Sequence, residues 1–229
     1  ALMLSSTFAD YSCGTGRFFL SLITYCKVHL NLSGDELKTL ALNFRAIEAD
    51  SLSLEIAKLE ILTAIDALEL YDELSSNFVH GNPLIQPETI ERSTPFCNEN
   101  YYLNVLAINA DALPTCDVLF GNPPWGSVEF DLPFYFHLLC PHLNELEDEN
   151  ELAKATFALS ETHPELYNWL LHNDEAVDLS RESIYNDARF LHSTVGGLQT
   201  NLLFTELSNS LLTPTGACGL LLKGSTLSD

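Results

Sequence analysis

Apolar residues recur along the chain with two alternating periods, one typical of strands and one typical of helices. In residues 51–72, for example, Leu52, Ile56 and Leu59 follow one another at helical spacing and indicate a core-facing stripe. This alternation predicts an α/β fold in which helices cover both faces of a wound sheet. The predicted strands are 4–9, 43–48, 103–113, 117–121 and 216–223. The predicted helices are 16–30, a helix that begins at Ser33, 51–72 and 194–212.

Two segments interrupt the alternation and are predicted to be insertions. Residues 75–100 are rich in proline and asparagine, which favours a long loop. Residues 144–191 open with an acidic run and predict an acidic helical insertion. Such a run is typical of a solvated face, and a docking surface for a basic partner is the alternative. With 229 residues and a hydrophobic share of 46%, the chain 1–229 can bury one substantial core and is predicted to be a single domain.

A glycine-rich loop joins the first predicted strand to the first predicted helix. Residues 10–19 read Asp-Tyr-Ser-Cys-Gly-Thr-Gly-Arg-Phe-Phe. Gly14 and Gly16 permit a tight turn and the close approach of a ligand, and the helix N-terminus that follows favours a negatively charged group. Many strand-to-helix turns carry such a pair of glycines without a ligand, so the loop alone is weak evidence for a site.

Acidic residues end two further predicted strands. Glu48 ends the strand 43–48, where a carboxylate can accept two hydrogen bonds from ribose hydroxyls. Asp50 is instead predicted to be the N-cap of the next helix. Asp111 lies near the end of the strand 103–113. It either accepts a hydrogen bond from the adenine amino group of a cofactor or forms a turn, and the sequence leaves both open.

The strand 117–121 ends in Asn122-Pro123-Pro124-Trp125, which suits the alkylation of a planar amino nitrogen. An amine such as adenine N6 is a poor nucleophile because its lone pair is delocalised into the ring. Asn122 offers a side-chain carbonyl as acceptor, and Pro123 offers a backbone carbonyl in a stiffened chain. Trp125 offers a flat face, and base–aromatic stacking is worth about 1–3 kcal/mol per base. A strand that runs into a Pro-Pro turn is the alternative.

This ordered set of motifs resembles the S-adenosylmethionine-dependent methyltransferases, and within them the N6-adenine DNA methyltransferases. The family's cofactor loop is similar to residues 10–19, and its catalytic tetrapeptide is similar to residues 122–125. The tryptophan form looks most like the phage-defence methylases of type IIG restriction–modification and BREX systems. The resemblance implies a Rossmann-like class I methyltransferase fold that binds S-adenosylmethionine and methylates an adenine flipped out of DNA. The implied cofactor-binding residues are Asp10, Cys13, Gly14, Thr15, Gly16, Glu48 and Asp111, and the implied catalytic residues are Asn122, Pro123, Pro124 and Trp125.

The chain departs from the family pattern in several places. Tyr11 replaces the usual proline of the cofactor loop. A competing match for the adenine-contacting residue is Asn82, because some relatives carry Gly-Asn-Ser-Leu-Ile where this chain has Gly-Asn-Pro-Leu-Ile. Asp111 is preferred because it directly precedes the catalytic strand. The resemblance also implies further strands, a second stacking aromatic and a DNA-recognition domain, so the chain is expected to be a catalytic-core fragment.

Composition bears on partners and location. The chain has 32 acidic and 10 basic residues and a net charge of −22, whereas nucleic-acid binders typically carry a basic surface. We therefore expect DNA to be bound mainly through other regions of a longer protein, with defence-system subunits as further candidate partners. No sequence feature predicts a membrane span or a signal peptide. The six cysteines form no Cys-x-x-Cys pair, which favours a reducing cytoplasm and predicts no metal site.

Three other functions stay open at this level. A protein-glutamine or RNA N-methyltransferase would use the same Asn-Pro-Pro-aromatic acceptors on another planar nitrogen, although the glutamine enzymes are compact and lack long insertions. A non-catalytic fragment that binds the cofactor within a defence complex is the second. An α/β oxidoreductase is the third, and it is disfavoured because a nicotinamide enzyme has no use for the residues 122–125.

Overall fold

In the part of the chain that the structure describes, five parallel strands form one sheet in the order β3-β2-β1-β4-β5. The residues that this structure, a computed structural model, describes are 2–86, 108, 113–129 and 148–223. The strands are β1 (Phe8–Asp10), β2 (Phe44–Glu48), β3 (Phe78–His80), β4 (Cys116–Gly121) and β5 (Leu212–Leu220). β1 is central, and its Phe8 pairs with Phe44 on one side and Val118 on the other. Because all five strands run in one direction, their carboxyl ends meet at one edge of the sheet, as the predicted Rossmann-like fold requires.

Helices cover both faces of the sheet. Their bounds are α1 (Leu2–Ser5), α2 (Arg17–His29), α3 (Asp35–Leu42), α4 (Ser51–Ala64), a 3₁₀ turn (Leu68–Leu70), α5 (Tyr71–Ser75), α6 (Glu149–Thr162), α7 (Pro164–Tyr185) and α8 (Thr200–Leu211). On one face, Phe19 of α2 stacks on Phe44 with ring centroids 4.4 Å apart. On the other face, Leu203 and Leu207 of α8 are buried together with Ile184 of α7. The predicted α/β architecture with helices on both faces is therefore confirmed.

Two predicted elements near the start of the chain are corrected. The stretch 4–9 was expected to be one strand, but it divides between α1 and β1. The helix predicted at 51–72 ends at Ala64, because Asp66 adopts a left-handed φ of 53° and the Ala67 N–H returns to the Leu62 carbonyl at 3.0 Å. The core-facing stripe predicted for this helix is also wrong, because Leu52 is 67% exposed and Leu59 is 48% exposed. The helix buries Leu54, Ile61 and Leu62 instead.

Two strand predictions are also corrected. β3 lies inside the segment 75–100, which the sequence predicts to be a loop, and only Phe78 of its three residues is buried. A short strand at the edge of a sheet carries too few inward positions to give an alternating pattern. β5 begins at Leu212, four residues before the predicted start. Its pairing with β4 shifts at a bulge that accommodates Pro214, which cannot donate to a sheet ladder.

The described part of the acidic segment 144–191 contains two helices that pack on each other, α6 and α7, in agreement with the helices predicted there. Asp148 caps α6 with its side chain, and Pro164 occupies the first turn of α7, where its missing N–H costs nothing. Within the described ranges, no helix is long and apolar enough to cross a bilayer. The strand predicted at 103–113 falls outside those ranges except at its residues 108 and 113, which are buried.

Candidate active site

A cavity of about 510 Å³ opens at the carboxyl ends of β1 to β4 and is closed on one side by α7 and α8. This volume lies in the range of ordinary ligand pockets and suits a nucleoside-sized ligand. Glu48 and Glu129 are the charged side chains among its described lining residues, so the lining is acidic. The residues that line the cavity are Tyr11, Ser12, Glu48, Ala49, Gly81, Asn82, Pro83, Leu84, Ile85, Asn122, Pro124, Ser127, Val128, Glu129, Val177, Ser180, Ile184, Thr200 and Phe204.

The glycine loop forms the predicted tight turn between β1 and α2. Gly16 precedes α2 with a left-handed φ of 76°, and a Cβ at this position would lie 3.0 Å from the Cβ of Ala57 on α4. The Cys13 N–H donates to the Ile47 carbonyl at 3.2 Å, which ties the loop to β2. Gly14 also has a positive φ, of 52°, but an added Cβ there would meet no atom within 4 Å. Gly16 is therefore required by packing, whereas Gly14 leaves open space beside the loop.

Glu48 joins the glycine loop to the start of α4. One of its carboxylate oxygens accepts the Gly14 N–H at 2.7 Å, and the other accepts the Asp50 N–H at 2.9 Å. Asp50 in turn accepts the Ser53 hydroxyl and the Leu52 N–H, both at 2.9 Å, and these bonds lower its pKa below the usual value. The predicted N-cap is thus confirmed, and Glu48 holds the two turns that border the cavity.

Asp10 is a buried carboxyl group at the end of β1, only 1% exposed. Its Oδ1 accepts the Ser12 N–H at 3.0 Å and packs so closely on Gly121 that a Cβ there would lie 2.8 Å away. Its Oδ2 is buried and accepts no hydrogen bond within the described structure. Burial raises the pKa of Asp10 to about 7, and the neighbouring charge of Glu48 contributes. Burial and both nearby acids also raise the pKa of Cys13, so its thiol stays neutral.

The predicted catalytic residues form an extended segment after β4. The side chain of Asn122 is exposed and lines the cavity, Pro123 is buried, and Pro124 lines the cavity beside Asn122. Trp125 is 58% exposed, and its indole N–H donates to the Leu221 carbonyl at 3.3 Å. Neither the Asn122 side chain nor the Pro123 carbonyl bonds to any residue whose position is described. Two acceptors without a partner among the described residues thus lie at the carboxyl end of β4.

The structure brings some of the sequence-predicted residues together and leaves others apart. Glu48, Asn122 and Pro124 line the cavity. The Asp10 side chain accepts the backbone N–H of Ser12, which lines the cavity. The turn beside the cavity consists of Cys13, Gly14, Thr15 and Gly16, which do not line it. Trp125 lies outside the lining as well.

Of the two candidates for the adenine-contacting residue, the structure describes Asn82. Asp111 lies outside the described residues. Asn82 follows β3 by two residues, lines the cavity, and accepts the Leu84 N–H at 3.0 Å through its side-chain oxygen. Asn82 thus lies in the same cavity as Glu48 and Asn122.

Sequence reasoning missed several parts of the cavity. Tyr11, noted only as a departure from the family pattern, lines it and donates its hydroxyl to the Pro114 carbonyl at 2.6 Å. Its ring is buried, and burial raises the pKa of its phenol. The wall formed by α7 was also missed, although Val177, Ser180 and Ile184 recur at helical spacing. That spacing within an otherwise charged helix was the available signal.

Comparison with known proteins identifies no family for this chain. No protein-family model and no curated protein matches the chain. Among solved structures, the chain is similar to the ATP-dependent Type ISP restriction-modification enzyme LlaBIII bound to DNA, with 16% identity and a TM-score of 0.44 over 94% of this chain and 12% of that one. It is also similar to a nuclease-deletion mutant of the Type ISP restriction-modification enzyme LlaGI in complex with a DNA substrate mimic, with 17% identity and a TM-score of 0.43 over 94% of this chain and 15% of that one. The chain spans less than a sixth of either neighbour, and a likeness this weak does not establish a shared activity.

Proposed function

We propose that the chain is the cofactor-binding and catalytic core of an S-adenosylmethionine-dependent methyltransferase that acts on N6 of adenine in DNA. The observation that carries the proposal is the exposed Asn122 side chain, which lines an acidic cavity, next to the Pro123 carbonyl in the chain, with neither acceptor bonded to a described residue. An amino group with two N–H donors can donate one hydrogen bond to each of these two acceptors. The ordered motifs that resemble the N6-adenine methyltransferases give the same substrate class.

Two features of the cavity lining and one of the neighbouring Asp10 support S-adenosylmethionine as the ligand. Its charged lining residues are the acids Glu48 and Glu129, which favour a ligand with a positively charged sulfonium. Each carboxylate oxygen of Glu48 has a second lone pair left for a ribose hydroxyl, since each accepts one backbone N–H. The buried Oδ2 of Asp10 lacks a described partner, and such an orphaned acceptor indicates a missing polar neighbour. Asn82 or Asp111 would hold the adenine of the cofactor.

The same contacts count against a nicotinamide dinucleotide. In dinucleotide-binding folds the N–H groups of the glycine loop bind a pyrophosphate. Here the Gly14 N–H already donates to Glu48 at 2.7 Å, and the acidic lining repels a doubly negative group. This cavity therefore disfavours the oxidoreductase alternative, because the loop N–H group that would bind the pyrophosphate is already bonded.

Asn122 and Pro123 would act on the amino group of the substrate. The bound cofactor supplies an electrophilic methyl group. The Asn122 oxygen and the Pro123 carbonyl would accept hydrogen bonds from the two N–H groups and draw the nitrogen lone pair out of conjugation with the ring. The nitrogen would bond to the methyl carbon as the bond from that carbon to the sulfonium breaks, and the proton that the nitrogen loses would pass to water. Catalysis then depends on positioning and preorganised dipoles, and it needs no nucleophilic side chain. Cys13 beside the site is a neutral thiol and takes no part.

Trp125 would provide the stacking surface for a base that has left the duplex. Its ring is more than half exposed while its indole N–H is fixed to Leu221, so one ring face can receive a planar group without rearrangement. A base inside a duplex cannot reach an acceptor pair at the end of a strand, so flipping is required. RNA adenine and the glutamine amide carry the same amino donors, and the substrate assay below separates them from DNA.

Thermal unfolding with S-adenosylmethionine tests the cofactor site. A ligand at about 100-fold above its Kd stabilises the native state by about 2.7 kcal/mol. We expect this shift in the wild type, its loss in Glu48→Ala, and its retention in Glu73→Ala, which removes an exposed acid of α5. Shifts are compared within each variant because Glu48 also holds the glycine loop. A cooperative transition without any shift in the wild type would contradict the proposal.

Methyl transfer from labelled S-adenosylmethionine tests the substrate. Single-stranded oligodeoxynucleotides with and without adenine are compared with an RNA of the same sequence and a glutamine-containing peptide. Label in the adenine-containing DNA alone supports the proposal. Label in RNA or peptide but not DNA would replace it with the corresponding alternative, and cofactor binding without transfer to any of them would favour the non-catalytic fragment.

A further inference from the structure

The hydroxyl of Thr200, at the start of α8, bonds to the segment that carries the free acceptors. Its Oγ1 lies 2.6 Å from the Pro124 carbonyl and 2.8 Å from the Gly126 carbonyl, and it accepts the Gly126 N–H at 3.1 Å. The Thr200 N–H also donates to the Gly126 carbonyl at 2.8 Å. If the hydroxyl were removed, the Gly126 carbonyl would still accept the Thr200 N–H. The Pro124 carbonyl would lose the hydroxyl, which is its partner among the described residues.

These bonds are not the ordinary local bonds of a helix. Three other hydroxyls of α8 donate to carbonyls of α8 itself, at 2.7, 2.6 and 2.7 Å, and these are the hydroxyls of Thr205, Ser208 and Ser210. The N-cap of α8 is Gln199, whose side chain makes no capping bond. The Thr200 hydroxyl therefore differs from its neighbours on the same helix, because it bonds 76 residues away to the Pro124 carbonyl.

The bond to Pro124 has a geometric consequence that follows from the two prolines. A proline ring fixes φ, so the direction of each carbonyl in Pro123-Pro124 depends on ψ alone. ψ of Pro124 relates the peptide plane that contains the Pro123 carbonyl to the plane that begins Trp125. A hydrogen bond that fixes the Pro124 carbonyl therefore fixes the Pro123 carbonyl relative to Trp125, whose indole is held at its far side by Leu221.

We propose that Thr200 is a positioning residue for methyl transfer, which acts by holding ψ of Pro124 through its hydroxyl. This inference rests on the proposed function, in which the Pro123 carbonyl binds the amino group and Trp125 stacks on the ring. Thr200 takes no part in the bond changes. Its hydroxyl keeps the acceptor and the stacking surface at the separation that one base requires.

Kinetics of three variants test this role. Thr200→Val keeps the shape and removes the hydroxyl, Thr200→Ser restores the hydroxyl, and Thr205→Val removes an exposed hydroxyl from the same helix. In transfer to the adenine-containing oligodeoxynucleotide, we expect kcat of Thr200→Val to fall roughly 10- to 100-fold, since a small misplacement of reacting groups has effects of this size. The Kd for S-adenosylmethionine should stay within about twofold, and the other two variants should transfer at near wild-type rates.

The fluorescence of Trp125 provides a second readout that needs neither cofactor nor activity. The chain has two tryptophans, so Trp169→Phe leaves Trp125 as the sole reporter. In that background we expect Thr200→Val to increase the amplitude of local motion in time-resolved anisotropy and to increase acrylamide quenching. Thr200→Ser and Thr205→Val should leave both unchanged.

The outcomes separate the two proposals. The positioning role is supported if Thr200→Val lowers kcat and increases the local motion of Trp125, and if Thr200→Ser changes neither. Unchanged Trp125 motion in Thr200→Val, or a loss of stability and cofactor affinity that matches the loss of kcat, overturns it. If the wild type transfers no methyl group, the proposed function fails and the anisotropy measurement alone decides whether Thr200 holds the segment.

Discussion

At the scale of single residues, the site combines acceptors that are already bonded with acceptors that are free. Glu48 uses both carboxylate oxygens on backbone N–H groups, so it orders the loops that border the cavity. Asn122 and the Pro123 carbonyl bond to no residue in the described part of the chain. The first group is preorganised before a ligand arrives, and the second is available to it.

Replacement of Asn122 should separate chemistry from binding. We expect Asn122→Ala to lower methyl transfer about 10²- to 10³-fold, because loss of one preorganised hydrogen-bonding group at a reaction site has effects of this size. The thermal shift with S-adenosylmethionine should remain. Asn209→Ala, on an exposed part of α8, is the control and should keep full activity. Equal loss of cofactor binding and transfer in Asn122→Ala would show that the residue belongs to the cofactor site.

Asp10 should make the stability of the fold depend on pH. Its folded pKa of about 7 exceeds the ordinary 3.8, so between these values the folded state binds a proton that the unfolded state has lost. Stability is therefore fully present below about pH 4 and falls as pH rises toward 7, by an upper limit of roughly 4 kcal/mol. We expect Asp10→Asn to remove this part of the pH dependence. Urea unfolding of both proteins from pH 5 to 8 measures it, and parallel curves would exclude Asp10 as the source.

At the scale of elements, a buried ion pair in the turn after α7 bonds to the loop after β3. The side chains of Asp187 and Arg189 are 2% and 15% exposed, and their closest atoms are 2.6 Å apart. Arg189 also donates to the Pro83 carbonyl at 3.0 Å, and the Gln86 side chain donates to Asp187 at 2.7 Å. Because α7 and this loop are two walls of the cavity, the pair holds the walls together.

Removal of one partner of this pair should be costly. We expect Arg189→Ala to lower the free energy of unfolding by about 3–5 kcal/mol, since it leaves the Asp187 carboxylate buried without its cation. The double variant Asp187→Asn with Arg189→Met should recover most of the loss. Lys38→Ala, which breaks the exposed pair with Glu69, is the control and should change stability little. Urea unfolding provides the measurement, and equal effects of Arg189→Ala and Lys38→Ala would contradict the assignment.

The elements that the sequence predicted share one property, which is a pattern contained within a short stretch. The glycine loop, the Asp50 cap and the residues 122–125 each lie beside the end of one strand, so their place at the sheet edge follows from the fold. The bond of the Thr200 hydroxyl to Pro124 and the bond of Arg189 to the Pro83 carbonyl were not predictable in this way. Their partners are 76 and 106 residues distant, and no local period links such positions.

At the scale of the whole molecule, the net charge of −22 opposes contact with a polyanion. We expect the chain alone to bind duplex DNA more weakly than the roughly 10⁻⁴–10⁻⁶ M typical of non-specific binding at physiological salt. Fluorescence anisotropy of a labelled duplex measures this, with a strongly basic DNA-binding protein as the positive control. Submicromolar binding that weakens with added salt would reveal a basic surface that the composition does not suggest.

The central position of β1 has a consequence for the protein during its synthesis. Thr7 beside β1 bonds to Asp117 on β4, and these residues are 110 positions apart. At roughly 5–20 residues per second, a ribosome needs about 5 to 20 s to reach the second after making the first. Over that time one edge of β1 lacks the neighbour that covers it, and Gly121 has not yet arrived to bury Asp10. The nascent chain must therefore carry an unfinished central strand, with an ionised Asp10, until β4 has been translated.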